Sequence, residues 1–365
     1  MSDSQPAGGD NQPASAYDKG RDMSEAAPAL AAWLASKVES PVEVSDLVYP
    51  TSSGASNETI LFTASWKEGI EQHNDGLVLR IHPREDFQLF LRPRLRTQFD
   101  LLKALQDVEG VPVPEALWYE EDPSIFGLPF FIMRQVEGRV PTSLTDGWFA
   151  EVSSQERRRL WVNAVRQMVR IHQIPLETVS FLADVPNGVG DLEQFMVESA
   201  ETLAWASDGL RTPVMDGVFE WLTDNMPRDA APGLAWGDSR LGNLMFDDRH
   251  EVTAVLDWEQ ATLGGGLTDL GWWLFLDGVR QRNGSERLEG VGSPEETIAL
   301  WGELSGQSTT DVHWYHVFAG FRVSMIGLGR TGDRDSVPEG TAPEDGPYIR
   351  ELCRLVESGS SNARN

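Results

Sequence analysis

At 365 residues the chain exceeds the usual span of one hydrophobic core, so two domains or lobes are expected. Hydrophobic residues make up 40% of it, enough for a full core, while a formal charge of -27 argues against nucleic acid and anionic membrane surfaces as partners, since both repel an acidic body. The single cysteine, Cys353, permits neither an internal disulfide nor a thiolate metal cluster.

Residues 1–22 are rich in Ser, Ala, Gly, Pro and Asp and read as a disordered tail. Residues 1–19 lack the apolar core of a signal peptide, and the most apolar run, 270–276, is far too short to span a bilayer. A soluble, cytoplasmic protein with no membrane partner is the expectation. An Ala- and Leu-rich helix is predicted over 26–38. The small polar turn 51–58 leads into a strand at 59–65, and a second strand is expected at 76–81. Residues 93–107 read as a helix with Leu101, Leu102 and Leu105 on one side, with Pro93 suited to its first position and Pro112 and Pro114 barring continuation. An apolar strand is expected at 126–133 and a connector at 135–138.

The second half reads as mainly helical. Trp161, Val165, Met168 and His172 are spaced by four, three and four residues, one face of a helix over 153–174. Further helices are expected at 192–207, 214–225, 267–278, 294–304, 311–328 and 347–357. Between them, the apolar segments 244–246 and 252–256 flank Asp247-Asp248-Arg249-His250 and read as a hairpin. No internal repeat is visible. The pattern is an α+β chain with a tail (1–22), a small β-rich N-lobe (23–137) and a larger, mainly helical C-lobe (138–365), divided near 136–140.

The most informative stretch is Trp236-Gly237-Asp238-Ser239-Arg240-Leu241-Gly242-Asn243, followed by Val255-Leu256-Asp257-Trp258-Glu259. An Asp is followed by an Asn five residues on and by a second Asp fourteen residues after that, each beside an apolar segment. Phosphoryl transfer from ATP needs a carboxylate facing the acceptor hydroxyl, and an amide oxygen plus a carboxylate to hold magnesium. Protein kinases use the same Asp-to-Asn spacing in their catalytic loop. Asp238 is therefore the candidate base, and Asn243 and Asp257 are candidate Mg²⁺ ligands, a hard cation that takes one or two protein oxygens beside nucleotide phosphates. Taken singly, each of these residues also suits a turn or a cap. Glu259 fits either a second metal or a basic partner. Arg240 fits either the transferring phosphate or a salt bridge that shapes the loop.

The paired motifs resemble the Brenner-type motif of the aminoglycoside phosphotransferase and choline kinase superfamily. The resemblance runs over about 48–328. The usual His-Gly-Asp opening reads Trp236-Gly237-Asp238, which is similar to a branch that includes kinase-like domains attached to some acyl-CoA dehydrogenases. The resemblance implies a bilobal protein kinase-like fold and an ATP- and Mg²⁺-dependent transfer of the γ-phosphoryl group to a hydroxyl of a small molecule. An aminoglycoside-like or a hydroxyacyl-CoA-like acceptor would fit. It also implies a phosphate-covering turn at Gly54, Ser56 and Asn57. Arg80, in Val78-Leu79-Arg80-Ile81, stands where kinase-like N-lobes carry a phosphate-holding Lys, and keeps the charge on a planar fork. Gln98 falls where the helix Glu is expected, with Asp100 a nearby acidic alternative.

These two departures motivate a second reading, a nucleotide-binding module without catalysis. His172 resembles a position that supports the catalytic loop and reads as a satisfied core residue. Asp269 is expected to hydrogen-bond the loop backbone. Trp236 cannot accept a hydrogen bond as the family His can, so packing is the expected replacement. Trp272, Trp273, Trp314, Tyr315 and Phe318 either line a substrate pocket or pack the core. Arg157, Arg158 and Arg159 form either a basic patch or a solvated face. The chain has no Gly-x-Ser-x-Gly elbow of a Ser hydrolase.

Overall fold

The computed structural model describes residues 23–45, 47–50, 56–85, 88–184, 191–330 and 346–362. The expected tail and Gly54 lie outside these residues. The chain divides into two compact units: residues 1–87 with 120–132, and residues 88–119 with 133–365. The cuts fall at 87/88, 119/120 and 132/133, so 88–119 is grouped with the second unit.

The first unit contains α1 (Met23–Val38), β1 (Val42–Val44), β2 (Glu58–Glu68), β3 (Glu71–Ile81) and most of β5 (Phe130–Arg134). With β4 (Ala116–Glu120), the sheet order is β1-β2-β3-β5-β4. Alternation along β2 buries Ile60, Phe62, Ala64 and Trp66 on one face, as a half-buried strand requires. β2 and β3 pair in unbroken antiparallel register from Glu58↔Ile81 to Glu68↔Glu71. Both strands are longer than the apolar runs that announced them. Their polar ends pair because the ladder uses backbone groups, and His73 stacks on Trp66 at 4.8 Å between ring centroids. Gly69, at φ +62, makes the tight turn between them. Leu30, Trp33 and Leu34 of α1 are buried, and the Trp33 ring meets Phe130 edge-on at 4.7 Å. Trp33 Nε1 donates to Glu120 at 2.7 Å, which holds that carboxyl below its ordinary range. β5 starts at Phe130, later than expected, because Pro123 to Gly127 close a turn in which the Gly127 N–H donates to the Pro123 carbonyl at 2.6 Å.

The second unit begins with α2 (Leu95–Leu105), which buries Leu101, Leu102 and Leu105. Arg94 occupies its N-cap, so Pro93 precedes the helix and is not its first residue. There follow α3 (Gly147–Glu151), α4 (Ser154–His172), α5 (Phe181–Asp184), α6 (Leu192–Ser207) and α7 (Pro213–Asp224). The hairpin β6 (Leu244–Phe246) and β7 (Val252–Val255) comes next, then α8 (Gly266–Arg282), α9 (Pro294–Ser305), α10 (Val312–Arg330) and α11 (Pro347–Asn362). Ser153 and Glu156 form a reciprocal capping box at the start of α4, which fixes where that helix begins.

The core gathers around α8 and α10, with α6, α7 and α11 packed on α10. Phe275, Val317, Phe321 and Leu352 are at most 1% exposed there. α8 and α10 approach closely at Gly271, where a Cβ would stand 2.4 Å from the Tyr315 carbonyl oxygen. Trp314 joins this core, donating Nε1 to the Leu222 carbonyl at 2.9 Å with Tyr315 and Phe318 against its ring. These three aromatics pack the core. No helix among the described residues is long and apolar enough to cross a membrane.

Candidate active site

The loop 236–243 hangs between two fixed backbones. Upstream, Ala235 exchanges hydrogen bonds with Thr262 at 2.8 and 3.0 Å. Downstream, Leu244 pairs with Val255 in the β6–β7 hairpin. Gly237 has φ +100, and a Cβ there would lie 2.2 Å from the Gln260 carbonyl oxygen, so this position admits only glycine.

Asp269, fully buried in the first turn of α8, anchors the loop from below. Its carboxylate accepts the backbone N–H of Trp236 at 2.7 Å and of Gly237 at 2.8 Å, and its carbonyl accepts the Ser239 hydroxyl at 2.6 Å. His172, at the end of α4, reaches the same carboxylate with Nε2 at 2.8 Å. Trp301 Nε1 can only donate, and it points at His172 Nδ1 at 3.2 Å. Nδ1 is therefore the acceptor, and Nε2 carries the proton toward Asp269. The His172 tautomer is set by the indole on its far side. Trp236 is completely buried and does more than pack: its Nε1 donates to the Leu256 carbonyl at 2.7 Å, tying the loop to the chain just after β7 and before Asp257.

Asp238 is held on both oxygens. Oδ1 accepts Trp272 Nε1 at 2.8 Å. Oδ2 accepts Asn243 Nδ2 at 2.6 Å and Arg240 Nε at 3.1 Å. Asn243 Nδ2 also donates to the Asp238 carbonyl at 2.9 Å. Both targets are acceptors only, so the nitrogen of the Asn243 amide faces Asp238 and its oxygen faces away. Arg240 is thus tied to Asp238, with its side chain 41% exposed and that of Asp238 14%.

Asp257 follows directly on Leu256, whose N–H donates to the Asn243 carbonyl at 2.9 Å. Asp257 itself has φ +61, a left-handed conformation that costs a non-glycine residue about 1 kcal/mol or more. The neighbouring Trp258 is buried and bonded through Nε1 to the Val255 carbonyl at 3.0 Å. Strained backbone is kept where the surroundings over-determine it, and here they set the direction of one carboxylate. Glu259 lines a cleft with Gln260 in the same unit.

Asn243 and Asp257 offer hard oxygen donors, the chemistry Mg²⁺ prefers. Among the described residues no three His, Cys, Asp or Glu side chains gather into a metal cage.

The remaining predicted residues fall as follows. Ser56 and Asn57 are buried just before β2, and Arg80 lies on β3 opposite Thr59; all three belong to the first unit. Gln98 is buried on α2 in the second unit. Asp100 is bonded to Arg96 one helical turn away at 2.9 Å. Arg157 is taken up by the backbone carbonyls of Ala150, Val152 and Glu289, and Arg158 by Glu296, so neither is part of a free basic patch. Two residues escaped sequence reading. Trp272 appeared only as an aromatic, although its place one helical turn after Asp269 was a signal. Arg322 gave no signal at all.

A model of the phosphotransferase enzyme family matches residues 48–303. The chain belongs to that family. Acyl-CoA dehydrogenase family member 11 of Pongo abelii is 29% identical over 293 residues, 76% of this chain and 37% of that protein. Family member 10 of Mus musculus is 29% identical over 277 residues, 72% of this chain and 25% of that protein. The chain therefore spans about a third of the length of the curated relatives it matches. Among solved structures, a candidate aminoglycoside phosphotransferase from Ralstonia eutropha JMP134 superposes with a TM-score of 0.66 at 23% identity, covering 91% of this chain and 98% of its own. A thermostable mutant of aminoglycoside phosphotransferase APH(4)-Ia, in ternary complex with ADP and hygromycin B, gives 0.55 at 16% identity, covering 91% and 99%. This phosphotransferase-family chain has the kinase-like fold: a small antiparallel sheet in its N-terminal part and a mostly helical remainder.

Proposed function

We propose that this protein transfers the γ-phosphoryl group of ATP to a hydroxyl of a small molecule, with Mg²⁺ bound. Asp238 orients the acceptor hydroxyl and takes its proton as the hydroxyl oxygen bonds to the γ-phosphorus and the bond to the bridging oxygen of departing ADP breaks. Asn243 and Asp257 hold the metal, which supplies charge neutralisation on the phosphate oxygens. Glu259 supports a second metal position. Arg80, with the backbone around Gly54, Ser56 and Asn57, binds phosphate oxygens. Gln98, buried on α2, is a further residue assigned to nucleotide binding. Arg240 steadies the base.

The observation that carries this reading is the fixing of Asp238 by Trp272 on one oxygen and by Asn243 and Arg240 on the other. A carboxylate with three donor contacts on its two oxygens is pre-oriented, which a turn or cap residue does not need. Support comes also from the relatives: solved members of this fold are described with ADP, GDP and aminoglycoside bound.

Thermal melting with ATP or GTP, with and without Mg²⁺, tests the reading. Stabilisation should reach about 2.7 kcal/mol at a hundredfold excess over the dissociation constant. The magnesium-dependent part should shrink in D257A. D238A should keep the nucleotide shift and lose acceptor-dependent ADP formation. An unchanged rate in D238A would remove Asp238 as the base. A nucleotide shift without turnover on any hydroxylated acceptor would favour the non-catalytic module.

A further inference from the structure

A small cleft of about 70 Å³ lies within the second unit, between α6, α10, the segment before α2 and the Glu259–Thr262 stretch. Three arginines line it, Arg92, Arg94 and Arg322, against two carboxylates, Glu198 and Glu259. Arg92 pairs with Glu201 at 2.8 Å and Arg94 with Glu198 at 2.5 Å. Arg322 is different. It is 6% exposed, and among the described residues no carboxylate comes within ion-pair distance of it. Its guanidinium lies between the rings of Phe195 at 4.4 Å and Trp272 at 4.8 Å. Nη2 donates to Gln260 Oε1 at 3.0 Å, while Nη1 has no hydrogen-bond partner among the described residues.

Burying an unpaired guanidinium is costly, and a bare donor adds to that cost. Burial pushes the Arg322 pKa down to about 10, with Asp269, Glu198 and Asp238 pulling it back up, so it stays charged at neutral pH. The rings account for some stabilisation, through cation–π attraction. They leave the Nη1 donor unanswered.

Asp238 does not itself line the cleft, but two residues connect it to Arg322. The Trp272 ring that covers Arg322 is the ring whose Nε1 binds Asp238 Oδ1. Gln260, which holds Arg322 Nη2, also presses its carbonyl against Gly237, next to Asp238.

We propose that Arg322 is the acceptor-selecting residue of this phosphotransferase, and that the acceptor is a hydroxylated carboxylic acid whose carboxylate docks on Nη1 while its hydroxyl faces Asp238. The inference rests on the phosphotransferase reading above. A single carboxylate would give Arg322 Nη1 the charged acceptor that the pairs Arg92–Glu201 and Arg94–Glu198 leave it without. A phosphate dianion would meet Glu198 and Glu259 with excess charge. A cationic acceptor such as an aminoglycoside would place its ammonium groups against a buried guanidinium.

The test uses ω-hydroxy carboxylates of two to six carbons and their matching amides, with the full chain, at fixed ionic strength. Binding is read by thermal shift and by calorimetry in the presence of ADP and Mg²⁺. Turnover is read as acceptor-dependent ADP formation with ATP. The expected result is that at least one acid binds about tenfold or more tightly than its amide, the scale of one charge-assisted hydrogen bond. R322M should abolish that preference while keeping the ATP–Mg²⁺ melting shift. Equal binding of acids and amides by the natural protein, or no binding of any acid, overturns the inference, and that comparison stands even if R322M does not fold. The melting shift with ATP–Mg²⁺ alone, run in parallel, reports separately on the phosphotransferase reading: its absence sinks that reading, whereas its presence with no acid preference sinks only this one.

Discussion

Trp272 Nε1 donates to Asp238 Oδ1 at 2.8 Å, joining α8 to the loop that carries the proposed base. The same helix supplies Asp269, one turn earlier, which holds the backbone of that loop. One helix thus sets both the path of the chain and the direction of the carboxylate.

Replacing Trp272 with Phe keeps a ring in the core and removes the donor. A hydrogen bond to a charged group is worth about 1.5–3 kcal/mol, so turnover should fall about 10- to 100-fold under the phosphotransferase reading. Nucleotide-dependent melting shifts should persist. Steady-state rates beside melting curves check this, and an unaltered kcat would show that Asp238 needs no restraint from the indole.

Asp269→Asn replaces two acceptor oxygens by one. Its amide nitrogen must face either the Gly237 N–H or the Trp236 N–H with His172, donor against donor in a fully buried place. The loss should be about 2–4 kcal/mol, from one or two buried groups left unmatched. Chemical denaturation measures it. Trp301→Phe should cost less, because it strips the donor only from the far side of His172.

Gly237→Ala should be among the most damaging single changes in the chain. A Cβ 2.2 Å from the Gln260 carbonyl cannot be accommodated without moving a backbone. Expression yield and melting temperature are the readouts, and a folded, active alanine variant would disprove the contact.

His316 introduces a pH dependence. It is half-buried on α10 with the ring of Phe275 against it, and Nε2 has no hydrogen-bond partner among the described residues. Burial pushes its pKa down to about 4, against the pull of Glu351 and with help from His313, Arg354 and Arg282. In the unfolded chain it protonates near 6.5, so between roughly 4 and 6.5 the unfolded state binds more protons. Stability should therefore fall as pH drops through that window, by at most about 3 kcal/mol from this group. Denaturant titrations at several pH values should show a shallower slope for H316L than for the natural chain, and equal slopes would assign the acid sensitivity elsewhere.

The sequence by itself determined the longer helices of the second unit and the hairpin at 244–255, because apolar spacing and capping residues act locally; the short α3 and α5 carry no such periodic signal. It also singled out Asp238, Asn243 and Asp257 as candidates, since residues on one loop and its flanking hairpin keep a fixed spacing along the chain. It placed Asp269 under the loop as well. Other features needed the tertiary structure. Residues 88–119 joined the second unit because their partners, such as Glu198 for Arg94, lie about a hundred positions away. The His172 tautomer depends on Trp301, 129 residues distant. Trp236 proved to be a donor to Leu256, and Trp272 a donor to Asp238, because an indole's partner is chosen by the helix that faces it. Arg322 is the extreme case: a lone arginine in an apolar helix means nothing until folding buries it between two rings, beside a cleft, with one of its donors lacking a partner among the described residues.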